Sequence, residues 1–566
     1  MKLFPLFAAT LLLGAPACAQ SPAGAPPAVA EPRGVVSAAH PLAAEAGREM
    51  LRQGGSAADA ELAMMLALTV VEPQSSGIGG GGFFVYQPAK GKLVTIDGRE
   101  TAPKAATPAR FLDASGKPRA RFQAIPGGLS VGVPGNIALM AMAHKRFGKL
   151  PWKALFQPAI KLAEEGYPVS APMARGMGYV SQAWQDFPAI SALYAPGGKP
   201  LAAGQMVKNP ALALTLRRIA AIGPDAFYKG ENAQAIVSAV NGAKRNPADM
   251  TLADIAGYQA KERTPICGSY RGYKICGMGP PSSGAVTVLQ ILGMLERFDL
   301  KALGPANPRS WHLIAEAMQL AYADRELYLG DPDFVTMPLK GMVDKAYLAQ
   351  RSALIDPAKA RGTYEAGTPP GAAPRSPGVS SEVSGTTHFV AIDRAGNVAT
   401  MTSTVEGPFG SQLLASGYVL NNELTDFTFA PEVNGAPVAN RVEGGKRPLS
   451  SMSPTIVYDA KGAPVFTVGA AGGKTIIMQV AKALIAHLDW GMSARESIGL
   501  GLVYFGGNGI ILERGTVLEP MKPALEALGH RVSVAELGLK ANAAERTASG
   551  WVGAADPRSI GVALGE

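Results

Sequence analysis

Ser384-Gly385-Thr386-Thr387-His388-Phe389 is the stretch on which the reading of this chain turns. It sets a hydroxyl residue directly after a glycine, at the head of a strand and behind a loose segment. A threonine so placed can attack the carbonyl of the residue before it, and Gly385 leaves that carbonyl sterically open. Cleavage there makes Thr386 a new N-terminus. Its α-amine, titrating near about pH 8, can act as general base for its own hydroxyl. Nucleophile and base are then one residue, and no histidine is needed. The plainer reading is that Thr-Thr opens an ordinary strand, because β-branched residues suit pleated sheets.

The surroundings favour the chemical reading. Residues 386–393 and 398–404 flank the turn Arg394-Ala395-Gly396-Asn397, a strong hairpin signal. With the turn centred on Ala395, position 386 falls opposite Thr404, a second hydroxyl within reach of the first. A bulge at Gly396 would slip that pairing by one residue. Upstream, residues 361–385 are dominated by Gly, Pro, Ser and Ala and lose all hydrophobic period, which predicts a flexible linker ending at Thr386. Helices are predicted over 43–53 and 56–71, broken by Gly54-Gly55, with Ser56 and Asp59 as a capping pair. Residues 135–260 read as mostly helical and 311–329 as a long helix. A strand at 464–468, the loop 469–473 and a helix at 474–488 follow.

The whole chain has 566 residues, 47% of them hydrophobic, which is enough for a substantial core. Lys2, the apolar run 6–13 and Ala17-Cys18-Ala19 before Gln20 read as a signal peptide over 1–19, so a periplasmic or secreted protein is expected. Cys18 leaves a lipoprotein anchor as the alternative, against which stands Ala15, where Leu is usual. Residues 20–33 are an Ala/Pro/Gly-rich lead-in, and no later run has the length of a membrane span. Cys267 and Cys276 flank the turn Tyr270-Arg271-Gly272-Tyr273, which puts their sulfurs on facing strands. In an oxidising compartment a disulfide is expected. The net charge of +9 is spread without a basic run, and so implies a basic surface and no nucleic-acid partner.

Several motifs mislead. Gly77-Ile78-Gly79-Gly80-Gly81-Gly82 satisfies the dinucleotide pattern, but a helix precedes it and a strand (83–86) follows, the reverse of what that turn requires. Gly472-Gly473-Lys474-Thr475 lacks the first glycine of a phosphate loop, since Val468 stands there. Six histidines without an H-E-x-x-H pattern argue against a metal hydrolase, and no G-x-S-x-G elbow is present. No metal and no cofactor is expected.

With these pieces placed, the chain resembles the γ-glutamyltranspeptidases (glutathione hydrolases) of bacterial type over nearly the whole mature sequence. The resemblance is carried by Gly54-Gly55-Ser56-Ala57-Ala58-Asp59-Ala60, Gly79-Gly80-Gly81-Gly82-Phe83, Asp97-Gly98-Arg99-Glu100-Thr101-Ala102-Pro103 and Thr386-Thr387-His388. It continues through Leu420-Asn421-Asn422-Glu423-Leu424-Thr425-Asp426-Phe427, Arg447-Pro448-Leu449-Ser450-Ser451-Met452-Ser453-Pro454 and Ala555-Asp556-Pro557-Arg558-Ser559. It implies an α+β fold, the four-layer αββα sandwich of N-terminal-nucleophile hydrolases. It also implies a precursor that cuts itself into a large subunit, 20–385, and a small catalytic subunit, 386–566. Glutathione and other γ-glutamyl compounds are the implied donors, with water, amino acids or dipeptides as acceptors.

The resemblance also assigns roles. Arg99 matches the arginine that holds the donor's α-carboxylate, a task suited to its bidentate fork. Ser450 and Ser451 match hydroxyls gripping the same carboxylate, and Glu423 and Asp426 match the residues holding the ammonium. Gly472 and Gly473, just before a helix, match the oxyanion site. Singly, each has a plainer reading: a surface salt bridge, a turn, a tight loop or solvated charges.

Two departures stand out. Glu406 lies where many family members carry Asn, adding a third carboxylate to the ammonium pocket that either strengthens cation binding or stays protonated. The stretch between Asp426 and Ser450 looks shortened and holds no Tyr, so a thin cover that admits water is expected. Cephalosporin (glutaryl) acylases share the pattern and are the alternative activity. A non-catalytic exported binding protein on the same fold is the alternative class.

Overall fold

In the computed structural model, which describes Met1, residues 34–379, Glu382, Val383 and residues 385–566, the hairpin carrying Thr386 forms without a bulge. The signal peptide and lead-in beyond Met1, including Cys18, lie outside the described residues, as does Ser384. Strands Thr387–Ile392 and Val398–Thr404 pair antiparallel, with Ser403 opposite Thr387 and Val398 opposite Ile392. Gly396, at φ 83°, lets the turn close. The Asp393 carboxylate accepts the Asn397 N–H at 3.0 Å and its amide at 2.7 Å, which pins the register. Position 386 therefore faces position 404.

Side chains alternate across these strands. Phe389, Ala391, Ala399 and Met401 enter one core with the helix Ala57–Val71, while Val390, Ile392 and Val398 enter the other. The hairpin occupies the middle of a seven-stranded antiparallel sheet, ordered Val562–Gly565, Val35–Ala38, Thr387–Ile392, Val398–Thr404, Gly81–Gln87, Val94–Asp97, Lys261–Arg263. A six-stranded antiparallel sheet faces it, ordered Gly550–Ala555, Lys540–Thr547, Pro464–Ala471, Thr455–Tyr458, Tyr273–Gly277, Ile266–Tyr270. Helix Ala57–Val71 is predominantly apolar and buried at every residue, Asp59, Glu61 and Thr69 included, and Ser56 and Asp59 form its capping box. Helices Gly284–Leu295, Pro308–Tyr328 and Thr475–Leu488 cover the second sheet. The layers are helix, sheet, sheet, helix.

Both sheets draw strands from either side of the Gly385-Thr386 bond. A cut there leaves two fragments whose strands interleave, so they stay joined by ladder hydrogen bonds and a shared core. Residues 361–379 carry no helix or strand but are tied down: Gly367 N–H donates to Asp324 at 2.8 Å and the Ser376 hydroxyl to the Val433 carbonyl at 2.9 Å. Cys267 and Cys276 sit directly opposite one another on the edge hairpin of the second sheet and are disulfide-bonded. Among the described residues no helix is long and apolar enough to cross a membrane.

The glycine run 79–82 serves close packing. A Cβ at Gly80 would lie 1.9 Å from the Thr404 carbonyl oxygen, so only glycine lets these segments meet behind the hairpin end. Strand Pro464–Ala471 runs three residues past its predicted end and brings Gly472 and Gly473 to the junction with helix Thr475–Leu488.

Candidate active site

Thr386 is buried and lies just before its strand, with φ 74°. A β-branched residue in the left-handed region is an outlier, with strain on the order of 1–3 kcal/mol, and here it adjoins the bond expected to break. The Thr386 N–H donates to the Ser75 carbonyl at 3.1 Å. Gly385 has a reason to be glycine beyond an open carbonyl: a Cβ there would meet the Glu406 carbonyl oxygen at 1.8 Å. Thr386 Oγ1 is 3.0 Å from Thr404 Oγ1, which also accepts the Glu406 N–H at 2.7 Å. Glu406, itself at φ 75°, turns the chain sharply after the strand and aims that N–H back at Thr404.

Next to Thr386, Thr387 donates to Glu72 at 2.9 Å, and Lys540 reaches both Glu72 oxygens at 3.2 Å and the Ser75 hydroxyl at 3.4 Å. Sequence reading missed this support, whose parts lie far apart in the chain. His388 sits between Thr402 (2.8 Å) and Thr400 (3.1 Å), and burial pushes it down to about 3, so it stays neutral and structural near neutral pH.

Gly472 and Gly473 have φ 131° and 60°, a conformation that suits glycine. Among the described residues neither N–H donates to a backbone partner. A Cβ on Gly473 would lie 3.1 Å from the Val383 carbonyl oxygen and 3.2 Å from Glu382 Cβ, so this loop faces the chain just before the Gly385-Thr386 bond.

Arg99 is fully buried beyond strand Val94–Asp97. It pairs with Glu423, donates to Asp426 at 2.7 Å, and donates to the Pro448 and Leu449 carbonyls at 3.2 and 2.9 Å. Glu423–Asp426 form a single 3-10 turn that presents both acids to it. Arg121, which sequence reading passed over, enters from the short surface helix Arg121–Ala124. It donates to Glu406 at 2.8 Å, Asp426 at 3.1 Å and the Thr425 carbonyl at 2.5 Å. Glu406 further accepts the Asn422 amide at 2.5 Å and the Val383 N–H at 2.6 Å.

Glu100 lies beside Glu423. Among the described residues no other side chain hydrogen-bonds to its two oxygens or to Glu423 Oε2, and a shared proton would satisfy the pair. Four carboxyls thus face two guanidiniums and cannot all be charged. Burial above all, then mutual repulsion, pushes Glu406 up to about 8 and Glu423 well above its ordinary value; burial likewise takes Glu100 to about 7.

Ser450 is held by backbone contacts, its N–H donating to the Pro281 carbonyl at 3.0 Å. Ser451 donates to the Glu382 carboxylate at 2.7 Å and accepts from Arg325 at 2.9 Å, while Arg325 reaches the same carboxylate oxygen at 2.6 Å. In the uncut chain, then, the carboxylate at Ser451 belongs to the segment preceding Thr386, and its arginine is Arg325. Arg99 is engaged with Glu423 and Asp426. Arg325 had a faint local signal: it is a charge on the buried face of helix Pro308–Tyr328, one turn after Ala321.

The segment 428–446 contains the hairpin Glu432–Val433 with Ala436–Pro437, and its aromatic residue, Phe429, stacks on Phe111 at 4.3 Å. Among the described residues His312, Glu316 and His530 bring possible metal-ligand atoms within 4.8 Å of one another. The two rings share a hydrogen bond of 2.7 Å, and Glu316 takes the Tyr364 hydroxyl and the Arg361 N–H. The cluster shares no residue with the Thr386 site.

An αββα sandwich with a threonine at the head of a central strand is the architecture of the N-terminal-nucleophile hydrolases. Comparison with known proteins narrows the class: the profile of the gamma-glutamyltranspeptidase family matches residues 43–566, and the chain belongs to that family. It is 37% identical to the glutathione hydrolase proenzyme of Bacillus subtilis strain 168, covering 94% of this chain and 91% of that one. It is 36% identical to the acylase ACY 1 proenzyme of Pseudomonas sp. strain SE83, covering 88% and 87%. A cephalosporin acylase from Bacillus halodurans superposes with a TM-score of 0.83 at 26% identity, covering 98% and 99%.

Proposed function

We propose that this chain is an exported proenzyme that cuts itself between Gly385 and Thr386 and then acts as a γ-glutamyltransferase and glutathione hydrolase. The observation that carries this reading is the strained Thr386, its hydroxyl 3.0 Å from Thr404 and directly after a glycine that admits no Cβ.

In self-cleavage the Thr386 hydroxyl oxygen attacks the Gly385 carbonyl carbon, and the C–N bond breaks as nitrogen takes up a proton. The resulting ester releases Thr386 as a free amine and is opened by water to leave the Gly385 carboxylate. Breaking that bond also releases the positive φ of Thr386, so strain is relieved along the reaction. Thr404 uses one lone pair for the Glu406 N–H, which leaves its proton and other lone pair for Thr386. In turnover the new α-amine takes the Thr386 hydroxyl proton, and the oxygen attacks the γ-carbonyl of glutathione or another γ-glutamyl amide. The N–H groups of Gly472 and Gly473 receive the developing oxyanion. The leaving amine takes a proton, and the γ-glutamyl ester passes to water or to the amine of an amino acid or dipeptide.

In the mature enzyme Arg99, Ser450 and Ser451 hold the donor's α-carboxylate, and Glu406, Glu423 and Asp426 hold its ammonium. The leader 1–19 directs the chain to the periplasm or beyond.

N-terminal sequencing of the purified protein tests the reading. Fragments beginning near Gln20 and at Thr386, with hydrolysis of γ-glutamyl-4-nitroanilide, are expected. Thr386→Ala should leave a single inactive chain. A small subunit beginning at any other residue removes Thr386 from the role of nucleophile.

A further inference from the structure

Arg121 reaches the site from outside it. Its helix lies on the surface, where the neighbouring Phe122 is exposed, yet its guanidinium sits between two buried carboxylates. These are Glu406 and Asp426, two of the three groups that would hold a donor's ammonium. Both Asp426 oxygens already face a guanidinium, Oδ2 that of Arg99 and Oδ1 that of Arg121. Glu406 Oε2 is taken by Asn422. Oε1 carries Arg121 and also accepts the Val383 N–H from the segment lying in the cleft. That N–H marks the direction from which a donor's nitrogen would approach. An α-ammonium held by Glu406 therefore shares Oε1 with a guanidinium, at close range and with like charge, even where Glu423 Oε2 takes another of its protons. An α-carboxylate meets the opposite effect and is attracted.

We propose that Arg121 is a specificity-determining residue that penalises the donor's α-ammonium and so opens the site to acyl amides bearing a terminal carboxylate but no amine, of the glutaryl type. The inference rests on the proposed acyl transfer through Thr386 but concerns a different quantity, the discrimination between two donors. The Coulomb cost falls on γ-glutamyl donors alone, because both donors carry the carboxylate. Arg121 thus acts on the ratio of the two activities more than on either by itself.

The test compares kcat/KM for γ-glutamyl-4-nitroanilide and glutaryl-4-nitroanilide in processed wild type, Arg121→Ala and Arg121→Gln. Removing the guanidinium should raise the γ-glutamyl to glutaryl ratio by about tenfold or more. A ratio unchanged within about twofold, or one moving toward glutaryl, overturns the proposal. Arg121→Gln keeps a donor for the Thr425 carbonyl and serves where Arg121→Ala does not mature. Calorimetric affinities of L-glutamate and glutarate provide a readout independent of turnover. In wild type L-glutamate should bind no more than about threefold tighter than glutarate, and an advantage above about tenfold overturns the proposal even if neither variant matures. An inactive enzyme whose binding ratio still shifts would sink the proposed reaction and leave Arg121 in its role. Turnover through Thr386 with an unshifted ratio would do the reverse.

Discussion

Thr386 Oγ1 and Thr404 Oγ1 stand 3.0 Å apart at directly opposed positions of one hairpin, and the strand ladder begins only at the next pair, Thr387 and Ser403. Thr386, the proposed nucleophile, is thus held by the Thr404 hydroxyl and by Ser75, outside the regular sheet. Thr404→Val keeps the shape and removes the hydroxyl. It should slow self-cleavage by about 100-fold or more, and Thr404→Ser should restore most of the rate. The accumulation of the 386–566 fragment on a gel over time measures this. Equal rates in Thr404→Val and wild type would show that the 3.0 Å contact is only structural.

Gly385→Ala tests the linker's path. Its Cβ would fall 1.8 Å from the Glu406 carbonyl oxygen, and that oxygen belongs to backbone that cannot swing aside cheaply. The variant should fold but process slowly or not at all. N-terminal sequencing after prolonged incubation gives the answer, and cleavage at the wild-type rate would mean that Gly385 and Glu406 do not approach as described.

Arg99 is the counter-ion of Glu423 and Asp426 as well as the expected carboxylate holder. Arg99→Ala strands two buried acids, a loss of about 3–5 kcal/mol if they stay charged and less if they take up protons. Its kcat/KM for γ-glutamyl anilides should fall sharply. Arg99→Met combined with Glu423→Gln should recover part of the stability without the activity. Urea denaturation of both variants in an uncut Thr386→Ala background separates the two effects, and additive losses would deny the coupling.

Glu406 gives a pH dependence with a definite sign. A donor ammonium favours the charged carboxylate, while burial keeps Glu406 protonated up to about pH 8. Donor binding below that pH must expel a proton, so KM for γ-glutamyl anilides should fall as pH rises from 6 toward about 8. Glu406→Gln should flatten the profile. For stability, an acid whose folded pKa is raised contributes most below its unfolded value near 4.5 and loses that contribution as pH rises through about 8. In the Thr386→Ala background, Glu406→Gln should therefore gain on its parent as pH rises between those limits, by up to about 1.4 kcal/mol for each pH unit. Thermal melts across the range measure it, and a constant difference would mean that Glu406 is ionised throughout.

What the sequence determined by itself was local. The alternation in 387–392 and 398–404, the turn Arg394 to Asn397, the Ser56–Asp59 cap and the wrong order of elements around the glycine run are all written within a few residues of one another. They suffice for the hairpin and place Thr404 within reach of Thr386, while the register, left open to a slip at Gly396, was set by the fold. The layered fold was implied by the resemblance that the motifs carry in their order along the chain.

Tertiary structure decided how the charges are shared. Arg121 and Glu406 are 285 residues apart, Arg99 and Asp426 are 327 apart, and Arg325 meets Glu382 across 57. No periodicity links such positions. The sequence supplied candidate acids and one arginine, but which guanidinium neutralises which carboxylate depends on distances of about 3 Å between separate segments. It also depends on burial, which pushes Glu406, Glu423 and Glu100 above the usual carboxylate range. The difference is physical: a hairpin follows from neighbours in the chain, whereas the balance of charge in a closed pocket follows from everything that folds around it.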